Sequence, residues 1–291
     1  MKIFVTGAEG QLGKEIVCLF RKAGHEVVGS DRVTLDITDH DLCLERMQEC
    51  SPDAVIHCAA YTAVDQAESD VEQAYAVNAV GTRNMVVAAE QVKAKFCYIS
   101  TDYVFDGTST SPYQEYDNTN PQSMYGKTKR AGEMLVQCLS SAFFIVRTSW
   151  VYGLHGHNFV KTMLKLGEEK RMLQVVNDQK GAPTYTLDLA AFLLELVQSE
   201  KYGIYHASNT GECTWFEFAE AIFDEAERIG GQAYPVRLEP CTTDEFPRPA
   251  PRPRNSVMAH IAIHTNGFRE FRPWREALRH FLQEMKNSRE S

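Results

Sequence analysis

The sequence predicts an α/β fold: a doubly wound parallel sheet followed by a smaller C-terminal lid. Three observations carry this. Short apolar runs rich in Val, Ile, Phe and Tyr recur five times in residues 1–150. Amphipathic stretches of helical period lie between them. A glycine-spaced turn joins the first run to the first such stretch. Apolar strands alternating with helices make βαβ units, whose strands pair in parallel and are covered on both faces.

Taken in order, the β-like runs are "KIFVTG", "HEVVGSD", "DAVIHCAA", "KFCYIST" and "AFFIVRTSW". The helical patterns between them cover 11–23, 40–50, 71–92 and 125–139. Beyond about residue 150 the rhythm loosens. A helix over 158–168 and a short strand over 173–176 come first. A further helix then starts at Thr184 or Thr186. "GIYHASN" follows, then a helix over 214–229, the loop "FPRPAPRPRNS", and a last helix from Pro273 to about Lys286, with proline accepted in the first turn. The expected division is residues 1–150 as a dinucleotide-binding unit, with the 184–198 helix packing back on it, and 151–291 as a smaller substrate-binding region.

Bulk properties narrow the function. The chain of 291 residues has 44% hydrophobic and 24% charged residues, ordinary values for a globular protein with a substantial core. A formal charge of −9 argues against nucleic acid or anionic membrane as partner, because both favour basic surfaces. The apolar run from Leu189 is too short to span a bilayer. The start turns glycine-rich after five residues, without the apolar core of a secretory signal. The eight cysteines show no zinc-like spacing and are read as reduced and mostly buried, in a cytoplasmic protein.

The segment "FVTGAEGQLGKEI" carries Gly7, Gly10 and Gly13 from a strand into a helix. Such a turn lets backbone approach a pyrophosphate, and the helix N-terminus adds free N–H groups and a favourable dipole. The spacing is GxxGxxG, because Glu9 occupies the middle position of the usual GxGxxG fingerprint. At this junction the loop predicts a Rossmann-type dinucleotide site. At the end of the second strand, Asp31 suits the ribose hydroxyls of NAD and Arg32 suits the 2′-phosphate of NADP. The pair leaves the cofactor as NADPH or NADH. Asp36 and Ile37 fall where an adenine ring would lie.

Tyr125 and Lys129 are four residues apart, so in a helix they share one face. An ammonium there is expected to lower the tyrosine pKa and ready it as a proton donor to a reduced carbonyl. Lys127, at +2, points elsewhere. Thr101 ends a β-like run, where an open α/β sheet places its ligands, and can polarise the carbonyl.

Together these residues resemble the short-chain dehydrogenase/reductase superfamily in its extended, nucleotide-sugar-modifying branch. The blocks "AAYTAVDQAE", "NAVGT", "STDYVFDG", "YGKTKRAGE", "RTSWVYG", "NFVKTML" and "NDQKGAPT" resemble the dTDP-4-dehydrorhamnose reductase family, in order over about residues 1–190. "RPRNS" resembles a further segment of it. The resemblance implies Thr101, Tyr125 and Lys129 as the catalytic set. It implies Gly10, Gln11, Leu12, Asp31, Asp36, Ile37, Ala60, Tyr61 and Thr62 as dinucleotide contacts, with Lys129 also on the nicotinamide ribose. Thr101, Asp102 and Trp150 would face a dTDP-sugar, and the product would feed surface polysaccharide. Some members are Mg²⁺-dependent homodimers with glutamates near the metal. Glu15 matches one such position, but Asp188 stands where a second glutamate is expected, so Mg²⁺ and the dimer are open. His155 and His157 are read as loop residues without a metal set. An epimerase using the same Tyr and Lys, or a non-catalytic regulatory subunit like that of methionine adenosyltransferase, are the alternative readings.

Overall fold

The computed structural model describes residues 1–231 and 233–290. Its first half alternates strictly: β1 (Lys2–Thr6), α1 (Gln11–Lys22), β2 (Glu26–Ser30), α2 (His40–Cys50) and β3 (Ala54–His57). A long helical run follows as α3 (Val71–Tyr75), a π-helical stretch (Ala76–Gly81) and α4 (Thr82–Gln91). Then come β4 (Lys95–Thr101), α5 (Met124–Leu139) and β5 (Phe143–Thr148). Helix α5 starts one residue before Tyr125, because the Ser123 side chain caps it by accepting from the Gly126 N–H.

The second half is made of shorter pieces: β6 (Val151–Tyr152), α6 (Phe159–Glu169), β7 (Met172–Val176), β8 (Lys180–Gly181) and β9 (Thr184–Tyr185). After them come α7 (Thr186–Gln198), β10 (Gly203–His206), β11 (Cys213–Thr214), α8 (Trp215–Gly230) and β12 (Arg237–Cys241). Helices α9 (Ile261–Thr265) and α10 (Trp274–Glu290) complete the chain. Of the two candidate starts for α7, the fold uses Thr186, since Thr184 and Tyr185 pair with Val151 and Tyr152.

The main sheet is parallel throughout, in the order β2-β1-β3-β4-β5-β10. Strand order reverses between β1 and β3, and a ligand crevice is expected at the C-terminal ends of those strands. One apolar layer, with Ile16, Phe20, Leu189 and Leu193, packs α1 and α7 on one face. A second, with Met47, Met85, Val86 and Val136, packs α2, α4 and α5 on the other. These faces explain the continuous apolar strands, as Ile3, Phe4 and Val5 are all fully buried.

The sheet does not stop at residue 150. Strand β10, assigned above to the smaller region, pairs with β5 as the sixth strand, Ile204 opposite Ile145. Helix α7 closes the layer beneath it. A cut at residue 150 therefore crosses the sheet, because the chain leaves it after β5, builds part of the lid, and returns. The lid has its own core, where Phe218, Ile222, Leu278 and Phe281 from α8 and α10 meet Tyr152 and Tyr185.

Candidate active site

A cleft of about 1170 Å³ runs along the C-terminal ends of the strands, between the sheet and the lid. Every residue singled out from the sequence for the catalytic set, the dinucleotide or the sugar nucleotide lines it. The glycine loop forms one end. Gly7 sits at φ +65°, and a Cβ there would lie 2.8 Å from the Ala59 nitrogen. At Gly13 a Cβ would meet the Ala8 Cα at 2.8 Å, so strand, turn and helix close up only with glycine at both places. Gly10, at the N-cap, provides no side-chain acceptor, which leaves first-turn N–H groups of α1 for an external one. Leu12 is buried beneath this turn. The cradle and the free N–H groups fit a pyrophosphate.

Further along, Asp31 is held in its own turn. One carboxylate oxygen accepts from the N–H groups of Val33 and Thr34 and from the Thr34 hydroxyl, which lowers its pKa. Asp36 is locked in the same way by Thr38, and the nearby Arg32 charge lowers it further. Arg32 is exposed at the cleft edge, with Ile37 buried beside it. On the opposite wall, Ala60, Tyr61 and Thr62 leave β3. Asn78, in the π-helical stretch, fixes this wall: its Oδ1 accepts from the Tyr61 N–H at 2.7 Å, and its Nδ2 donates to the Tyr61 carbonyl and to Thr128. π-turns inside helices often mark such sites. In the sequence Asn78 is only the first residue of the block "NAVGT", with nothing local to mark this role.

Gln11 turns out to serve the lid as well as the cleft. Its side-chain amide donates to the Val151 carbonyl at 3.1 Å and accepts from Asn158 at 2.9 Å. His157 lines the cleft beside it, while Lys127 is exposed on the far side of α5, as the +2 spacing requires.

At the centre, Thr101 ends β4 and Tyr125 and Lys129 rise from the first turns of α5. Lys129 is 2% exposed; its ammonium donates to the Ile99 carbonyl at 2.7 Å and lies 4.1 Å from the centroid of the Tyr98 ring. Burial lowers its pKa to about 7, against the opposing pull of Glu133 one turn away. Glu133 belongs to a buried, fully paired network, with the Ser100 hydroxyl at 2.6 Å and the Arg147 guanidinium at 2.9 Å on both oxygens.

Tyr125 departs from the sequence expectation of a lowered pKa. Burial pushes its pKa up to about 12; a hydrogen bond with Thr101 acts in the other direction, and the Asp102 charge adds to the rise. Lys129 spends its charge on the Ile99 carbonyl and the Tyr98 ring and does not bring the phenol toward neutrality. Tyr125 is thus a fully protonated phenol at neutral pH, held edge-on to Tyr103 with centroids 5.7 Å apart. That is the form a proton donor starts from.

Asp102, next to Thr101, is 2% exposed. Its Oδ1 accepts from the Thr101 hydroxyl, and Oδ2 has no partner. Burial raises its pKa to about 6, opposed by the neighbouring Ser256 hydroxyl and by the Thr101 hydrogen bond. Trp150 closes the far end, stacked on Trp215 of the lid.

The residues matching the family's Mg²⁺ positions do not fit such an ion. Glu15 is buried and accepts from the Thr186 hydroxyl at 3.2 Å. Asp188 is taken by Arg272, which donates to its two oxygens at 2.8 and 2.7 Å, and by Asn209.

A sequence model of the RmlD substrate binding domain matches residues 1–287. The chain is 44% identical over 283 residues to the spore coat polysaccharide biosynthesis protein SpsK of Bacillus subtilis, covering 97% of each chain. It is 43% identical over 280 residues to a dTDP-4-dehydrorhamnose reductase of Streptomyces griseus, covering 94% of this chain and 90% of that one. Among solved structures, a dTDP-4-dehydrorhamnose reductase of Bacillus anthracis in complex with NADP superposes with a TM-score of 0.94 at 44% identity, covering 97% and 99% of the two chains. By its cleft, its sheet order and these matches over nearly its whole length, the chain belongs to the RmlD substrate binding domain family.

Proposed function

We propose that this chain reduces the C4 keto group of dTDP-4-dehydro-β-L-rhamnose with NAD(P)H, giving dTDP-L-rhamnose as a precursor of surface polysaccharide. The observation that carries this is one cleft holding a glycine cradle at one end and Thr101, Tyr125 and Lys129 at its centre. The names of the relatives supply the substrate. Residues 1–150, completed by α7 and β10, bind the dinucleotide, and the lid takes the sugar nucleotide with Asp102 and Trp150. No helix among the described residues is long and apolar enough to cross a membrane. Eight free cysteines suit a reducing compartment, in keeping with a cytoplasmic enzyme.

When bound, the nicotinamide supplies the hydride to C4. The Thr101 hydroxyl polarises the carbonyl and stabilises the oxygen as it gains charge. Tyr125, still protonated, donates its proton to that oxygen. Lys129, charged below about pH 7, holds the nicotinamide ribose. Asp31 is engaged by its own turn, whereas Arg32 is exposed beside it. This favours NADPH, whose 2′-phosphate an exposed guanidinium can grip.

The test is NADPH oxidation with the keto sugar nucleotide. One NADPH should be consumed per sugar reduced; redox-neutral epimerisation, or no oxidation at all, would overturn the reading. Tyr125→Phe should cut turnover about 10²–10⁴-fold, the usual worth of a general acid, with NADPH affinity unchanged.

A further inference from the structure

Trp150 lines the cleft in a backbone conformation that bulky residues rarely adopt, with φ at +46°. Its surroundings over-determine that pose. The Trp150 carbonyl accepts from the Thr184 N–H at 3.2 Å. One face of its indole stacks on Trp215, with centroids 3.6 Å apart and planes 12° from parallel. The ring edge lies over Gly181, where a Cβ would come 2.6 Å from Cε2.

Trp215 and Gly181 are themselves anchored in the lid. Trp215 is the first residue of α8, fixed by the capping box between Thr214 and Glu217, and it packs on Phe159 at 4.6 Å. Gly181 is held by the pairing of β8 with β11. Neither residue lines the cleft.

We propose that Trp215 and Gly181 are positioning residues that hold the Trp150 indole as a stacking platform for the sugar nucleotide and so set its affinity. This rests on the functional reading above. A flat indole favours an offset-stacked base or the C–H face of a sugar. A strained residue keeps such an orientation only while its supports remain. Removing Trp215 frees the outer face of the ring, and adding a methyl at Gly181 displaces its edge. Both changes act through Trp150 and neither touches the dinucleotide half.

The test measures kcat and KM for NADPH and for dTDP-4-dehydrorhamnose in W215A, W215F and G181A, with circular dichroism to read the stack. Stacked indoles couple excitonically, and the third tryptophan, Trp274, packs edge-on to Phe218 instead. W215A and G181A should raise KM for the sugar nucleotide about tenfold, or about 1.4 kcal/mol. KM for NADPH should stay within about twofold, the split that marks a lost binding contact. W215F, which keeps an aromatic ring but not the indole pair, should lose the exciton signal and give an intermediate KM. Loss of that signal with no change in sugar KM would overturn the proposal, as would a parallel rise in both KM values, which would mean general loosening. If W215A does not fold, W215F and G181A carry the test. If the wild type does not oxidise NADPH with this sugar, the functional reading falls and the platform with it. That result is distinct from an active wild type with insensitive variants.

Discussion

The half of the cleft proposed for the dinucleotide is shaped by backbone: Gly7 at positive φ, Gly13 against Ala8, and an uncapped helix N-terminus. The half proposed for the sugar is shaped by side chains from separate stretches, with Asp102 after β4 and Trp150 after β5, the latter backed by Trp215 of α8. The first kind of site is local and tolerates no added atom. The second is assembled by tertiary packing and can be retuned by single substitutions. A family built on this plan can keep its hydride chemistry while altering the ring it accepts.

The sharpest way to break this contrast is Gly13→Ala. A single methyl at Gly13 meets the Ala8 Cα at 2.8 Å, and the atoms in its way are backbone, which has nowhere to move. NADPH affinity should fall about 100-fold, or about 2.7 kcal/mol, measured by fluorescence titration, and the thermal midpoint should fall with it. Retained affinity would show that the backbone half is as adaptable as the other.

The same contrast explains what could be read from the sequence. The glycine loop, the strand before it and the helix after it are contiguous, and the Tyr125–Lys129 spacing lies within one helical turn or so. Local geometry fixes both. Strand β10 is not legible as a sixth sheet strand, because a four-residue run carries no sign of which sheet it joins and the chain visits the lid before returning to β5. Trp215 and Asn78 gave no signal of their own, since each acts through a partner distant in sequence. The raised pKa of Tyr125 is illegible in the sequence for a related reason. Burial, its largest cause, belongs to the assembled cleft and not to the four-residue spacing.

A second prediction concerns the cost stored in the sugar half. Glu133 is buried but fully paired, whereas Asp102 is buried with Oδ2 unpartnered. The folded Asp102 carboxyl keeps its proton up to about pH 6, against an ordinary value of 3.8. Between those values the folded state binds more protons, so stability falls as pH rises through about 6. The full effect is roughly 3 kcal/mol. Asp102→Asn removes it, so its unfolding free energy from urea titration, relative to wild type, should improve between about pH 4 and pH 7.5 by roughly 2 kcal/mol. A difference independent of pH would mean the carboxylate ionises there without cost. The variant should bind the sugar nucleotide more weakly, since Asp102 lines the cleft.

The smallest effect expected lies where the two halves meet. Lys129 loses its proton near pH 7, because burial disfavours the ammonium. Below that pH it is charged and can donate to ribose hydroxyls; above it, a donor and a charge are lost. NADPH affinity should therefore weaken about fivefold to tenfold between about pH 7 and pH 8.5, with bound cofactor softening the change by favouring the ammonium. Neighbouring groups titrate outside this window: Asp102 near 6 and Tyr125 and Cys58 near 12. Calorimetric titration of NADPH across that range, compared with Lys129→Met, isolates the lysine. The variant should bind weakly with a flat profile. A wild-type profile equally flat would mean that Glu133 and the Tyr98 ring hold the ammonium charged despite burial, and that this part of the cleft too is governed by side-chain packing.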